Sequence, residues 1–187
     1  MYSTDLFERL GAGLEADPRH RPAPGDRLAG VLVPVIAGAS LVLTKRSDAL
    51  PRHPGEISFP GGIHQDGDET VADTALRETK EELGIAPAEV EVLGALPPVH
   101  TFVSGILIVP FVGALVDRPE IRPNRGEIAE VLEYPLEAFA AAETEVEWVR
   151  DGAVYRGYAY DMGAHFVWGA TARILHSLLD LVRREPG

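Results

Sequence analysis

Three glutamates stand close together in the segment LRETKEELGI, where Glu81 and Glu82 follow Glu78 by three and four residues. On an α-helix these spacings place the side chains on neighbouring turns. Like charges so placed disfavour a helix by about 0.2–0.5 kcal/mol per pair. A divalent cation would reverse that sign, because Mg²⁺ binds carboxylate oxygens together with water and phosphate. The spacing therefore indicates either a metal site or a solvent-exposed acidic helix face.

The helix that carries these glutamates is predicted to cover residues 69–83 and to end at Gly84, since glycine commonly follows a helix C terminus. Small and apolar residues share one side of it and predict the face that packs on a core. They are Ala72, Ala75, Leu76, Thr79 and Leu83. At about 100° per residue, all three glutamates fall in an arc directed away from that face.

The rest of the chain alternates strand and helix patterns. Two strands are predicted at 28–36 and 40–46, joined by a turn near Gly38, and a β-rich stretch follows the acidic helix. Pro110 in that stretch indicates an edge strand or a bulge, because proline cannot donate to a ladder. A hairpin turning at Asp151-Gly152 and a final helix at about 168–184 complete the order. The mixture predicts an α/β fold in which helices cover a mixed sheet.

Length and charge bound the possible functions. A chain of 187 residues suits one domain, predicted at 28–184, with a helix at 4–16 and a Pro-rich loop within residues 1–27 packed on it. The net charge of −12 repels nucleic acid and anionic membranes, so neither is an expected partner. A phosphate-bearing ligand would need a local arginine or a metal. With no cysteine, disulfides, thiolate metal sites and cysteine nucleophiles are excluded.

Targeting signals are not evident. The N-terminal segment carries Asp5, Glu8 and Arg9 and has no apolar core, unlike a secretory signal. The apolar run at 28–43 is shorter than the roughly 20 residues that a membrane span needs, and Pro34 interrupts it. We therefore expect a soluble cytoplasmic protein. Its oligomeric state is left open, with a homodimer as one option.

A longer motif surrounds the three glutamates. Gly61-Gly62 followed by Glu69-x7-Arg77-Glu78-x-x-Glu81-Glu82-x-Gly84-Ile85 resembles the Nudix box of the Nudix hydrolases. Two positions depart from that pattern. Six residues rather than five separate Gly62 from Glu69, and Thr79 stands where an aliphatic residue is usual.

The resemblance implies an α/β/α sandwich that hydrolyses a diphosphate linked to another moiety, with Mg²⁺ or Mn²⁺ as cofactor. By position, Glu78, Glu81 and Glu82 would be the metal ligands, and Arg77 would hold a carboxylate in place. The later segment GEIAEVLEYPLE resembles a family loop and strand that carries a further acidic residue. Glu127 there would be an outlying ligand or the base for the attacking water, with a solvated acidic stretch as the alternative.

A second resemblance concerns the substrate. The segment LTKRSDALPRHPGEISFPGG, residues 43–62, is similar to the signature of the coenzyme A pyrophosphatase branch of the family. An arginine of that signature falls on Pro51 here, and Arg52 follows one residue later. The match implies coenzyme A or a derivative as substrate, cleaved to 3′,5′-ADP and 4′-phosphopantetheine. The substrate-binding residues that it implies are Arg46, Arg52, His53, Gly61 and Gly62.

Alternatives remain open from the sequence. The altered arginine position keeps ADP-ribose or a dinucleotide as a rival nucleotide substrate. A non-catalytic Nudix-like binding module is a rival of another class, although its glutamates would be degenerate and all three are intact here. His53 could also serve only a hydrogen bond within its loop, and Phe59 is expected to pack under the loop.

Overall fold

The computed structural model describes residues 2–16, 18, 22–37, 39–101, 105–150 and 152–184. Gly38 and Asp151, which the sequence places in turns, lie outside them. The elements follow in chain order: α1 Tyr2–Gly13, β1 Arg27–Ile36, β2 Ser40–Arg46, β3 Ile57–Ser58, β4 Gly61–Ile63, α2 Val71–Leu83, a 3₁₀ turn Pro87–Glu89, β5 Glu91–Ala95, β6 Val99–Thr101, β7 Ile106–Leu115, β8 Ile128–Pro135, α3 Leu136–Ala142, β9 Glu143–Arg150, β10 Ala153–Asp161, β11 Phe166–Val167 and α4 Gly169–Arg183.

The main sheet is mixed, as predicted. Its centre is β1, which runs parallel to β7 from Arg27 opposite Ile106 to Ile36 opposite Leu115. Antiparallel strands flank this pair: β2 and then β8 on one side, β5 and β6 on the other. The predicted hairpin of β9 and β10 belongs to a second, three-stranded sheet with β11.

A short segment fills a gap within the main sheet. β1 and β2 are paired only where they meet, with Ile36 opposite Ser40. Further along, β3 pairs with the end of β2, and β4 pairs with β1 through Gly30 opposite Gly62. Residues 57–63 therefore lie between the separated halves of β1 and β2. This insertion brings the two glycines against the helix that follows them.

Helices cover both faces of the sheet. On one face α2 packs with alternate β1 and β7 side chains such as Leu32 and Val109. On the other face α1, α3 and α4 share a larger core with Val33 and Leu43. The α/β/α sandwich is thereby confirmed. None of the described helices is long and apolar enough to cross a membrane.

Pro110 does not mark an edge strand, because β7 has neighbours on both sides. The neighbours on one side change at this residue: β6 pairs with Ile106–Ile108 and β5 begins at Phe111. The Pro110 carbonyl still accepts a bond of 2.9 Å from Leu96 N–H. The proline therefore lies where the ladder is already interrupted, and the missing N–H is of little consequence.

Helix α2 begins two residues later than predicted and ends where predicted. Thr70 caps its N terminus, and a reciprocal pair of bonds joins Thr70 and Asp73. Gly84 ends it in the left-handed conformation with φ of 75°, a conformation that favours glycine. Both ends of the acidic helix are thus fixed by local sequence.

The contact between α2 and β1 depends on Gly30. A Cβ atom there would overlap the Val71 carbonyl and lie 3.1 Å from Ala75 N.

We expect Gly30→Ala to lower the free energy of unfolding by about 1–3 kcal/mol, because the helix backbone must move to admit the methyl group. Urea denaturation checks this. Gly67→Ala is the matched control, since nothing lies within 4 Å of a Cβ atom at that position; equal effects of the two substitutions would contradict the packing argument.

Candidate active site

The three glutamates of α2 occupy different environments. Glu82 is only 5% exposed, which corrects the prediction that all three point away from the core. Burial and the neighbouring carboxylates of Glu78 and Glu127 raise the pKa of Glu82 to about 8, while Arg46 and a hydrogen bond from Gly61 lower it. Its Oε2 atom is buried without a hydrogen-bond partner in the described structure. The inserted segment of residues 57–63 covers α2 at Glu82. The spacing of apolar residues along the helix does not reveal this contact, because the segment lies outside the helix sequence.

Glu78 lies against the two glycines. Its side chain is 16% exposed, and a Cβ atom on Gly62 would overlap its carboxylate. Gly61 allows a similar approach on the other side, since a Cβ there would lie 2.5 Å from the Gly30 carbonyl. Burial raises the pKa of Glu78, although the bond from Arg77 opposes this. The glycines therefore let the strand backbone reach the carboxylate of the helix.

Arg77 connects the glutamates. Its Nη1 atom donates to Glu78 Oε1 at 2.8 Å and to Glu81 Oε2 at 3.3 Å. The Glu81 side chain is 58% exposed. Arg77 thus donates to one largely buried and one exposed carboxylate of α2.

The partner that fixes Arg77 is Asp68, a residue that sequence reasoning missed. Arg77 donates through Nε to Asp68 Oδ1 at 2.8 Å and through Nη2 to Oδ2 at 3.1 Å, which is a two-point ion pair. The Thr74 hydroxyl also donates to Asp68, at 2.8 Å. These bonds hold the pKa of Asp68 far below its ordinary value.

Glu69, the acidic residue that fits the motif by spacing, is exposed. The motif spacing includes Glu69 but does not say which residue pairs with Arg77. In the structure the loop, which is one residue longer than the motif, places Asp68 beside the guanidinium.

Arg46 and Glu127 complete a cluster with the glutamates of α2. The end of β2 meets the start of β8, where Ser47 N–H donates to the Glu127 carbonyl at 2.7 Å. The charges of Arg46 and Glu127 both act on the pKa of Glu82, in opposite directions. Arg46 Nε is buried without a hydrogen-bond partner in the described structure. Four predicted site residues, Arg46, Glu78, Glu82 and Glu127, are therefore neighbours.

The remaining predicted residues lie on the loop between β2 and β3. Arg52 is exposed. His53 has φ of 53° and forms an ion pair with Glu56 when it is protonated. This contact matches the structural role considered for His53. Phe59 is 3% exposed, so it packs under the loop as expected.

The donors suit a hard divalent cation in type and in burial. A cation would satisfy the unpartnered Glu82 oxygen and relieve the repulsion among Glu78, Glu82 and Glu127. In the described part of the chain, no three His, Asp or Glu side chains already converge as a ligand set. The Arg77 contacts of Glu78 and Glu81 would have to rearrange for these residues to bind metal.

Comparison with known proteins decides the family. The model of the NUDIX domain matches residues 26–155, which include the whole cluster. The chain belongs to the Nudix family. It is therefore a Nudix pyrophosphatase, and Nudix hydrolases generally use divalent metal ions.

Nudix relatives match over nearly the full length. The chain is 41% identical over 177 residues to a protein of Pectobacterium atrosepticum named uncharacterized Nudix hydrolase NudL, covering 92% of each chain. A protein of the same name from Photorhabdus laumondii is 36% identical over 184 residues, covering 96% of this chain and 97% of the relative.

Solved structures share the fold. The E. coli ORF135 protein matches with a TM-score of 0.55 and 18% identity, over 89% of this chain and 99% of that one. A Nudix hydrolase from Nitrosomonas europaea matches with a TM-score of 0.50 and 23% identity, over 59% and 57%. At these identities the likeness concerns the fold alone.

Asp68→Asn should weaken both stability and turnover. The free energy of unfolding is expected to fall by about 1–3 kcal/mol, because charge-assisted bonds to Arg77 are lost and Glu78 is no longer held. The pKa of Asp68 is lowered in the folded protein. The difference in unfolding free energy between the parent and Asp68→Asn is therefore fully present above the ordinary pKa of 3.8 and is lost as the pH falls further. Urea titrations at several pH values and kcat measure the two effects. The exposed Glu69→Gln is the control; an equal loss there would contradict the assignment of Asp68.

Glu82→Gln should change how the stability of the metal-free protein depends on pH. Its folded pKa of about 8 exceeds the ordinary 4.5, so the stability attributable to Glu82 is full below pH 4.5 and is lost as pH rises through about 8. Thermal unfolding in a chelator should therefore show a decline over this range that Glu82→Gln reduces. Glu81→Gln, on the exposed side of the helix, should keep the decline. Identical pH profiles for Glu82→Gln and the parent would refute the buried state of this carboxyl.

Proposed function

We propose that this Nudix enzyme hydrolyses the diphosphate of coenzyme A or a derivative, in a reaction that depends on Mg²⁺ or Mn²⁺. The products would be 3′,5′-ADP and 4′-phosphopantetheine. One observation carries the proposal: the loop with the signature of the coenzyme A branch runs from Arg46 to Gly62, and both ends of it meet the buried carboxylates of α2. A loop so placed would contact whatever diphosphate lies at those carboxylates.

Glu78 and Glu82 would hold the cation, joined by Glu81 once it leaves Arg77, with Glu127 as an outlying ligand or as the base. When bound, the cation would neutralise charge on the diphosphate and lower the pKa of a water molecule. A chain of net charge −12 needs such local positive charge to admit an anionic substrate.

The reaction adds water to a phosphorus atom. A bond forms between the water oxygen and phosphorus, and the bond from that phosphorus to the bridging oxygen breaks. If Glu127 is the base, its carboxylate is the accepting group, and the bond that Oε1 accepts from Asn124 Nδ2 at 3.2 Å orients it. The proton then passes from the water to this carboxylate.

Other residues would position the reacting groups. Asp68 fixes Arg77, which in turn orients the Glu78 carboxylate. Arg46 lies beside Glu82, where its guanidinium would donate to a phosphate oxygen of the substrate. The Gly61-Gly62 backbone allows close approach of the strand to the site.

Arg52 is the residue that bears on the choice of substrate. It is exposed, and no carboxylate pairs with it among the described residues. Such a side chain can take the role of the arginine that Pro51 displaces. The same displacement supports the second candidate, a nucleotide such as ADP-ribose or a dinucleotide that does not need this contact.

A substrate panel with Mg²⁺ tests the proposal. Coenzyme A should be cleaved with a higher kcat/KM than ADP-ribose or a dinucleoside polyphosphate. Arg52→Ala should raise KM for coenzyme A about fivefold, because a charge-assisted phosphate contact is lost. Arg156→Ala, an 81% exposed arginine on the β9–β10 hairpin, is the matched control and should leave KM unchanged.

Cleavage of ADP-ribose without cleavage of coenzyme A would overturn the substrate and retain the chemistry. Tight binding of nucleotides with no hydrolysis in Mg²⁺ or Mn²⁺ would instead favour the non-catalytic module.

A further inference from the structure

Two large aromatic side chains beside α4 are exposed. Phe166 in β11 is 55% exposed, and Trp168, which directly follows that strand, is 63% exposed. Val167 between them is 1% exposed and belongs to the core. Because side chains alternate along an extended chain, the two rings project from the same side.

These rings have no structural task in the described part of the molecule. Neither belongs to a hydrophobic core cluster, and neither stacks on another described aromatic ring. The other exposed aromatic pair, Trp148 and Tyr155, is stacked at 6.0 Å between ring centroids with an angle of 16°. Among the residues that the structure describes, the Phe166 and Trp168 rings are thus the exposed aromatic rings without such a partner.

A nucleotide substrate needs a surface for its base, and the aromatic rings of the loop that meets the carboxylates are already engaged: the His53 ring contacts Glu56 and the Phe59 ring is buried. Phe59 is 3% exposed and packed in the core. Aromatic bases stack on exposed aromatic side chains whatever their sequence, because every base has a π-face. An aromatic platform for the base is therefore sought on another element.

Contacts place β11 and the start of α4 next to the loop of the site. Strand β11 packs against β3, and the Thr171 hydroxyl at the start of α4 donates to the Ile57 carbonyl at 3.1 Å. Ile57 pairs with Lys45, the neighbour of Arg46. Ile57 and Gly62 are five residues apart, at most about 17 Å of extended chain.

Cationic side chains lie between the carboxylates and the two aromatic rings. β2 side chains alternate between the faces, so that Val42 packs on the α2 side and Leu43 on the α4 side. Arg46 lies on the α2 side, because its charge acts on Glu82, and Lys45 lies on the α4 side, because it pairs with Ile57 of the larger core. The loop that carries Arg52 joins the two sides. An anionic chain that leaves the carboxylates would meet these cations before it reaches Phe166 and Trp168.

We propose that Phe166 and Trp168 form a stacking platform for the aromatic base of the nucleotide substrate. This inference rests on the proposed function only in that the substrate is a nucleotide. The base would lie on the α4 side of the sheet, while the diphosphate lies at the carboxylates on the α2 side. The platform would set the preference for substrates that carry an aromatic base.

Fluorescence tests the platform without catalysis, because the chain has two tryptophans. In Trp148→Phe the remaining indole is Trp168, and ADP should quench its emission saturably. In Trp168→Phe the remaining indole is Trp148, and ADP should leave its emission unchanged. Inorganic pyrophosphate, which has no base, should quench neither variant. Absence of ADP quenching in Trp148→Phe would overturn the proposal.

Kinetics give the second measurement. Trp168→Ala should raise KM for the nucleotide that proves to be the substrate about tenfold, with kcat within about twofold, because a base contact distant from phosphorus is lost. Phe166→Ala should act in the same direction, and Trp168→Phe should restore most of the affinity. Trp148→Ala is the matched control with unchanged KM. Circular dichroism confirms that each variant is folded, and an unchanged KM in folded Trp168→Ala would overturn the proposal.

The outcomes separate this inference from the proposed function. If coenzyme A is not hydrolysed but ADP quenches Trp168, the substrate proposal fails and the platform stands. A second copy of the chain is the other candidate occupant of the two rings. Sedimentation that shows a dimer dissociated by Trp168→Ala, with no quenching by ADP, would assign the surface to that copy and overturn the platform.

Discussion

Helix α2 packs closely on the backbone of β1 and β4, and this packing sets the positions of the glutamates that it carries. Gly30 lets the helix approach β1, and Gly61 and Gly62 let β4 approach both β1 and the Glu78 carboxylate. Side chains at these positions would push the helix outward, and the glutamates would then face solvent. The glycine contacts therefore convert an acidic helix face into a partly buried charge cluster, in which carboxylates interact more strongly than they do in water.

Burial of like charges has to be offset, and the protein does so with arginines from two directions. Asp68 fixes Arg77, which neutralises Glu78 and Glu81 from the outer side of α2. Arg46 lowers the pKa of Glu82 from the side of β2, without a direct ion pair. Burial prevails over both, since the pKa values of Glu78 and Glu82 remain raised. A divalent cation would add the positive charge that this arrangement lacks.

Much of the fold and part of the site could be predicted from the sequence because the responsible signals are local. Thr70 and Gly84 cap α2 by bonds within a few residues, and the alternation in β9 and β10 specifies their hairpin. The motif spacing singled out Arg77 and the glutamates. The signals were weaker where two distant segments meet. Pro110 resembled an edge residue. The sequence of β7 does not show that its neighbouring strand changes from β6 to β5 at this proline. Glu69 satisfied the spacing, whereas the path of the longer loop brings Asp68 to Arg77.

The order of residue types could be read directly from the chain: two glycines, then an arginine and three glutamates on one helix, without cysteine and with an excess of negative charge. The burial of Glu82, the exposure of Glu81 and the proximity of Arg46 and Glu127 became evident only in the folded molecule. Burial and electrostatic interaction depend on distances in space, which the order of residues does not specify. Residues 46, 82 and 127 become neighbours only when residues 57–63 fill the gap between β1 and β2 and β8 pairs with β2.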